Sequence, residues 1–232
     1  MAAFSGKTNE NAAATRIATL AWNGNPFSVK STAGSGHGPD IPVEVGEIKT
    51  AFEIKSAGAF ETGQRSTRSL IDGKIQLPDL EKNVAFNGLT GLLWEGRIPK
   101  FLTGDRSDPW LSKDPLSEAR NFPDIHIPCE DSLAAAKYYK KQGSDYIQVI
   151  GIGLFHTGED RLGLGVPLFE CPMEFRIRVK KHASAKNGNP ASLSVTWSMT
   201  IKKKPSSPFD LMVDAKLPPK ITRFQQPAQM AE

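Results

Sequence analysis

The chain predicts a mainly β protein, a β-rich α+β fold built as an antiparallel sheet or sandwich with one or two helices. Five short segments carry the β signal: "RIATLAW" (16–22), "PVEVGEIKTAFEIKS" (42–56), "GKIQL" (73–77), "DIHIP" (124–128) and "DYIQVIGIGLF" (145–155). Each is rich in β-branched or aromatic residues and bounded by Gly, Pro, Asn or Asp. Two more, "MEFRIRVKK" (173–181) and "SLSVTWSMTIKKK" (192–204), alternate apolar and polar residues with the period of a strand. A single segment has a complete helix signature, which argues against the regular strand–helix alternation of a parallel α/β sheet.

From the N-terminus, residues 1–14 are small and polar and predict a disordered segment, followed by a single β-rich domain over 15–213. The chain of 232 residues is long enough for one large domain or two small ones, and 39% apolar residues supply a real core. Residues 79–102 are ambiguous, since Leu80 and Val84 have helical spacing while Gly88 and Gly91 oppose a helix. Residues 103–123 read as a surface loop with acids and prolines. The helix lies in "EDSLAAAKYYKKQG" (130–143), with acids and a serine first, alanines within, lysines late and Gly143 after the end. From 214 to 232 the sequence, with its prolines and glutamines, reads as a tail.

Enzyme motifs find little support. Gly6-Lys7-Thr8 ends like a phosphate-binding loop, but Met1 stands where that loop needs its first glycine. The glycine-rich stretches 33–40 and 151–165 do not fit G-x-G-x-x-G, and "HTGEDRLG" is turn-like where that motif needs a helix. Asp124, His126, Cys129, Glu130 and Asp131 could ligate or carry protons, yet a structural zinc site wants four ligands in close pairs, and neither Cys171 nor His156 has a second Cys or His close by in sequence. His126 and Cys129 would also face opposite sides of a strand. The sequence therefore predicts no catalytic residue, no metal and no cofactor. The rival reading is an enzyme with a site around Asp124, His126, Cys129 and His156.

Charge is the more informative signal. The net charge is +4, but residues 173–204 alone carry eight bases against Glu174. In "MEFRIRVKK", Phe175, Ile177 and Val179 take one parity while Arg176, Arg178 and Lys180 take the other. In its companion, Leu193, Val195, Trp197, Met199 and Ile201 alternate with Ser194, Thr196, Ser198, Thr200 and Lys202. "HASAKNGNPA" between them holds Asn-Gly and Asn-Pro turn signals, so the pair predicts an antiparallel hairpin with a basic, hydroxyl-rich face. A plain solvated face, or one neutralised by acids from elsewhere in the chain, is the bland alternative.

The candidate anion-binding residues are Arg176, Arg178, Lys180, Lys181, Lys202, Lys203 and Lys204. Their expected partner is nucleic acid or nucleoprotein, bound through phosphates, or an anionic membrane surface. Phe175 and Trp197 share the core parity, which disfavours stacking of bases on the sheet. For a membrane, Leu92, Leu93 and Trp94 precede Arg97 and Lys100, an order suited to a loop dipping into lipid. Ser207-Pro208, beside the lysines, forms a phosphorylation pattern that would weaken anion binding. In composition and organisation the chain resembles viral matrix and movement proteins, an analogy with no motif behind it. The resemblance implies a non-enzymatic assembly protein that self-associates. Without a secretory signal or a long apolar run, an intracellular site is expected, cytoplasmic or nuclear, or a virion.

Overall fold

The structure is a computed structural model, which describes residues 6–30, 38–56, 65–68, 70–71, 74–75, 125–129, 131–182 and 192–224. Among the described residues, strands form mostly antiparallel sheets accompanied by two α-helices, a β-rich α+β fold. The chain divides into two compact units where one domain was expected over 15–213. The first comprises Met1–Phe60, Ala135–Cys171 and Lys204–Glu232; the second comprises Glu61–Ala134 and Pro172–Lys203. Each unit is assembled from separated stretches of chain.

The first unit begins with helix α1 (Gly6–Ile17) and a small sheet of β1 (Leu20–Trp22), β2 (Asn25–Pro26) and β14 (Ile221–Arg223). Asn23 and Gly24 both have positive φ, which makes "NG" the two-residue turn that joins β1 to β2. A larger sheet has the order β11 (Gly153–His156), β10 (Tyr146–Ile150), β5 (Ile48–Ser56), β4 (Ile41–Val45) and β3 (Ser28–Val29). All its pairings are antiparallel except β5 with β10, which the chain joins through helix α2 (Ala134–Lys141). Ile41, Val43, Val45, Phe52, Tyr146 and Leu154 from this sheet meet Ala13, Ile17 and Leu20 in the core.

Polar ties fix the segment after 204 to this core. Gln148, fully buried, donates through Nε2 to Asp210 (2.9 Å) and accepts from the Leu211 amide (3.0 Å). The Ser207 hydroxyl donates to the Leu154 carbonyl at 2.7 Å, and Leu154 N–H donates to Phe209 O at 2.7 Å. Gly153 lies under this crossing, where a methyl group would stand 2.6 Å from Phe209 O and 2.7 Å from the Ser207 Cβ. Ser207 is thus a buried anchor, so the Ser207-Pro208 pattern does not present its hydroxyl for modification.

Two terminal expectations differ from what is observed. Gly6–Ile17 is helical because Ala13, Ala14 and Ile17 are buried in the core, a stabilisation that small-residue composition does not reveal. At the other end, Ile221–Arg223 is a strand whose partner is β1, and Ile221 is buried. Asp214 accepts two hydrogen bonds from Arg223, both 2.8 Å, and one from Arg16, linking the two ends of the chain. Arg223 and Arg16 together hold its carboxyl far below the usual carboxylate range.

The second unit contains β6 (Arg65–Arg68), β7 (Leu70–Ile71), β8 (Lys74–Ile75), β9 (Ile125–Pro128), β12 (Met173–His182) and β13 (Ser192–Ile201). Four of these form an antiparallel sheet in the order β6-β13-β12-β9. Among the described residues no helix is long and apolar enough to cross a membrane.

Replacing Gly153 with Ala is expected to destabilise the protein by about 2–4 kcal/mol, from left-handed strain plus overlap with backbone. Gly24→Ala, with positive φ and nothing within 4 Å, should cost only about 1 kcal/mol. Denaturant unfolding of the two variants checks the ranking.

Candidate functional site

Residues opposite one another in an antiparallel pair share a face, so the register of the second unit's sheet sorts its residues into two sets. β12 and β13 pair along their whole length, placing Glu174 opposite Thr200, Arg176 opposite Ser198, Arg178 opposite Thr196 and Lys180 opposite Ser194. β9 adds Pro128 beside Glu174 and His126 beside Arg176. On the other side, β6 adds Ser66 beside Thr196 and Arg68 beside Ser194. One face of the sheet therefore gathers bases and hydroxyls.

The opposite face gathers the apolar residues. Phe175 pairs with Met199 and Ile127, Ile177 with Trp197 and Ile125, and Val179 with Val195. Met173, on the same parity, is 1% exposed. Lys181, opposite Leu193, and Arg65, opposite Trp197, also take this parity, apart from Arg176, Arg178 and Lys180. The hairpin expected from the alternation is thus present, and its polar parity has grown by residues from both flanking strands.

Among the described positions of the polar face, Glu174 is the one carboxylate. His126 Nδ1 lies 2.8 Å from its Oε1, and Lys202 Nζ lies 3.4 Å from its Oε2. Burial pushes the Glu174 carboxyl up, but the His126 hydrogen bond and Lys202 outweigh it and hold the group below its ordinary value. Lys202 and His126 have about half of their side-chain surface exposed, Glu174 only 18%. The negative partner sought for the hairpin's bases is therefore in part internal: Glu174 takes up Lys202 at one end of the face. The positions of Arg178, Lys180 and Arg68 lie at the other end. Lys203 and Lys204 follow the strand and are exposed, and the boundary between the units falls between them.

The residues of the enzyme reading are distributed differently. His126 is engaged with Glu174, and the Cys129 thiol donates to the Asp131 carbonyl at 3.3 Å. Asp131 accepts the Leu133 amide through Oδ1 (2.9 Å), as an acid opening α2 should. His156 belongs to the other unit, where burial lowers its pKa and its Nδ1 has no hydrogen-bond partner. The described residues include no group of three His, Cys, Asp or Glu placed to hold a metal. The loop 157–165 turns its amides toward an internal anion: Asp160 accepts from Leu164 N (2.9 Å), Gly165 N (2.7 Å) and the Tyr146 hydroxyl (2.8 Å).

Asp124, and the membrane candidates Leu92, Leu93, Trp94, Arg97 and Lys100, lie outside the described residues. Arg68, Ser66 and the His126–Glu174 pairing were not identified from sequence. "RSTR" is four residues without an apolar member, so no alternation could mark it as a strand, and the pairing needs two strands distant in the chain.

Glu174 titrates lower in the folded state than in the unfolded chain, where a value near 4.5 applies. Its contribution to stability is therefore present above that pH and lost as pH falls through the folded value. Unfolding free energy should decline more steeply below pH 4.5 in the parent protein than in Glu174→Gln, as measured by denaturant titration across pH 3–6.

No protein-family model, curated protein or solved structure matches the chain.

Proposed function

We propose that the chain is a non-enzymatic interaction or assembly protein that holds a nucleic-acid backbone on the polar face of the β6-β13-β12-β9 sheet. The observation that carries this reading is the register, which gathers Arg68, Arg176, Arg178 and Lys180 with serines and threonines on one face. Glu174 there is already matched by Lys202 and His126. A phosphate backbone complements such a face because each neutralised phosphate releases counterions, and guanidinium groups bind phosphate as a two-pronged fork. Hydroxyls beside them add donors for phosphate and sugar oxygens.

Lipid is the less suited anion. Near an anionic surface each base contributes about 1 kcal/mol, so four give roughly 4 kcal/mol, a millimolar affinity from the bases of this face alone. Self-association of the kind matrix and movement proteins use would multiply modest affinity along a polymer.

Binding of a labelled oligonucleotide, titrated with salt, tests the reading. The combined substitution of Arg176, Arg178 and Lys180 by Gln should flatten the slope of log K against log salt by about 2–3. Lys30→Gln with Lys49→Gln, in the other unit, should leave it unchanged. An unaltered slope in the triple variant, or tighter retention on anionic vesicles than on the oligonucleotide at equal salt, contradicts the reading.

A further inference from the structure

We infer that Glu174 is an internal competitor for the phosphates: it withholds Lys202 from the nucleic-acid backbone and keeps the affinity of the face below what its bases would give. This rests on the nucleic-acid reading above and adds how that face is regulated.

The first reason is placement. Glu174 lies opposite Pro128 on β9 and Thr200 on β13, and its two partners come from diagonal positions on those same sides. His126, two residues before Pro128, stands beside Arg176, and its Nδ1 lies 2.8 Å from Glu174 Oε1. Lys202, two residues after Thr200, is fixed by its own backbone, whose N–H donates to the Pro172 carbonyl at 2.9 Å. From there its Nζ reaches Glu174 Oε2 at 3.4 Å. Each carboxylate oxygen thus faces a different donor, one from either flank of β12. Diagonal neighbours across a strand pair are about 7–8 Å apart, within reach of long side chains.

The second reason is exposure. The Glu174 carboxylate is mostly covered, whereas about half of each partner's side chain is open to solvent. An anion arriving from outside therefore meets the lysine and the histidine before it meets the glutamate. A lysine ammonium has three donors on a flexible stem, so it can turn from one oxyanion to another. What holds it in the free protein is the tether: a carboxylate on the same fold competes at high effective concentration, and a phosphate has to displace it.

The third reason is energetic. An ion pair whose lysine is half open to water adds little to stability. Its effect on a polyanion is larger, because the one residue both masks a base and presents a like charge.

The labelled oligonucleotide, titrated with salt against the parent, Glu174→Gln, Lys202→Gln and the double variant, reads the coupling. Glu174→Gln should tighten binding about three- to fivefold at low salt and steepen the slope of log K against log salt by about 1, as expected for a further neutralised phosphate. Lys202→Gln should cost more, in affinity and in slope, in the Glu174→Gln background than in the parent, because only there is the ammonium given over to phosphate. A carboxylate that merely repels the polyanion predicts the same cost in both backgrounds. Unfolding midpoints confirm that each variant is folded; should Glu174→Gln not fold, Glu174→Thr, matching Thr200 across the strand pair, carries the same test. Unchanged affinity in Glu174→Gln, or an equal cost of Lys202→Gln in the two backgrounds, overturns this inference and leaves the nucleic-acid reading to the triple variant of Arg176, Arg178 and Lys180. Absence of salt-dependent binding in the parent overturns both.

Discussion

Side chains on a β-strand alternate with a period of two, and continuous pairing of β12 with β13 subjects every residue from Met173 to His182 and from Ser192 to Ile201 to that rule. A slip of one residue would exchange the apolar parity of Phe175, Ile177 and Val179 for the charged parity of Arg176, Arg178 and Lys180. Charges turned onto the face that Met173 buries would cost several kcal/mol each. The register is thereby fixed with little tolerance, and once it is fixed the bases must collect on one face. β9 and β6 extend that division outward, adding Ile125 and Ile127 to one side and His126, Ser66 and Arg68 to the other.

Glu174 gives the face a direction. Its carboxylate draws in His126 and Lys202, so attraction for an anion weakens toward that end of β12. The first unit shows the opposite use of charge. There Asp145 is buried between the Thr50 hydroxyl and Lys140, and Asp214 gathers Arg16 and Arg223, so the acids are spent on holding sequence-distant segments together. Its β5–β10 parallel pair does similar work, joining strands between which the chain has already traced much of the other unit.

What could be read from sequence depended on whether a segment carries its own period. The 173–181 alternation, the β-rich segment 42–56 and the alanine-rich α2 with its late lysines have local patterns and could be placed. Helix α1 could not, because two alanines and Ile17 mark a buried face only when the core that receives them is known. β14 is three residues long and exists through pairing with β1, and β6 has no apolar residue at all. The candidate site was legible as a charged parity on one hairpin. Its width and its internal counter-ion were not, since Arg68, His126 and Glu174 come together only through strand order.

The central proposal is that a nucleic-acid backbone covers the polar face of one sheet, and lysine acetylation footprinting with a bound oligonucleotide tests it most directly. Lys180 should lose reactivity on binding, while Lys30 and Lys49 of the other unit, well exposed at 56% and 81%, keep theirs. Protection of Lys30 and Lys49 with Lys180 unchanged, or equal protection of all three, would contradict the account.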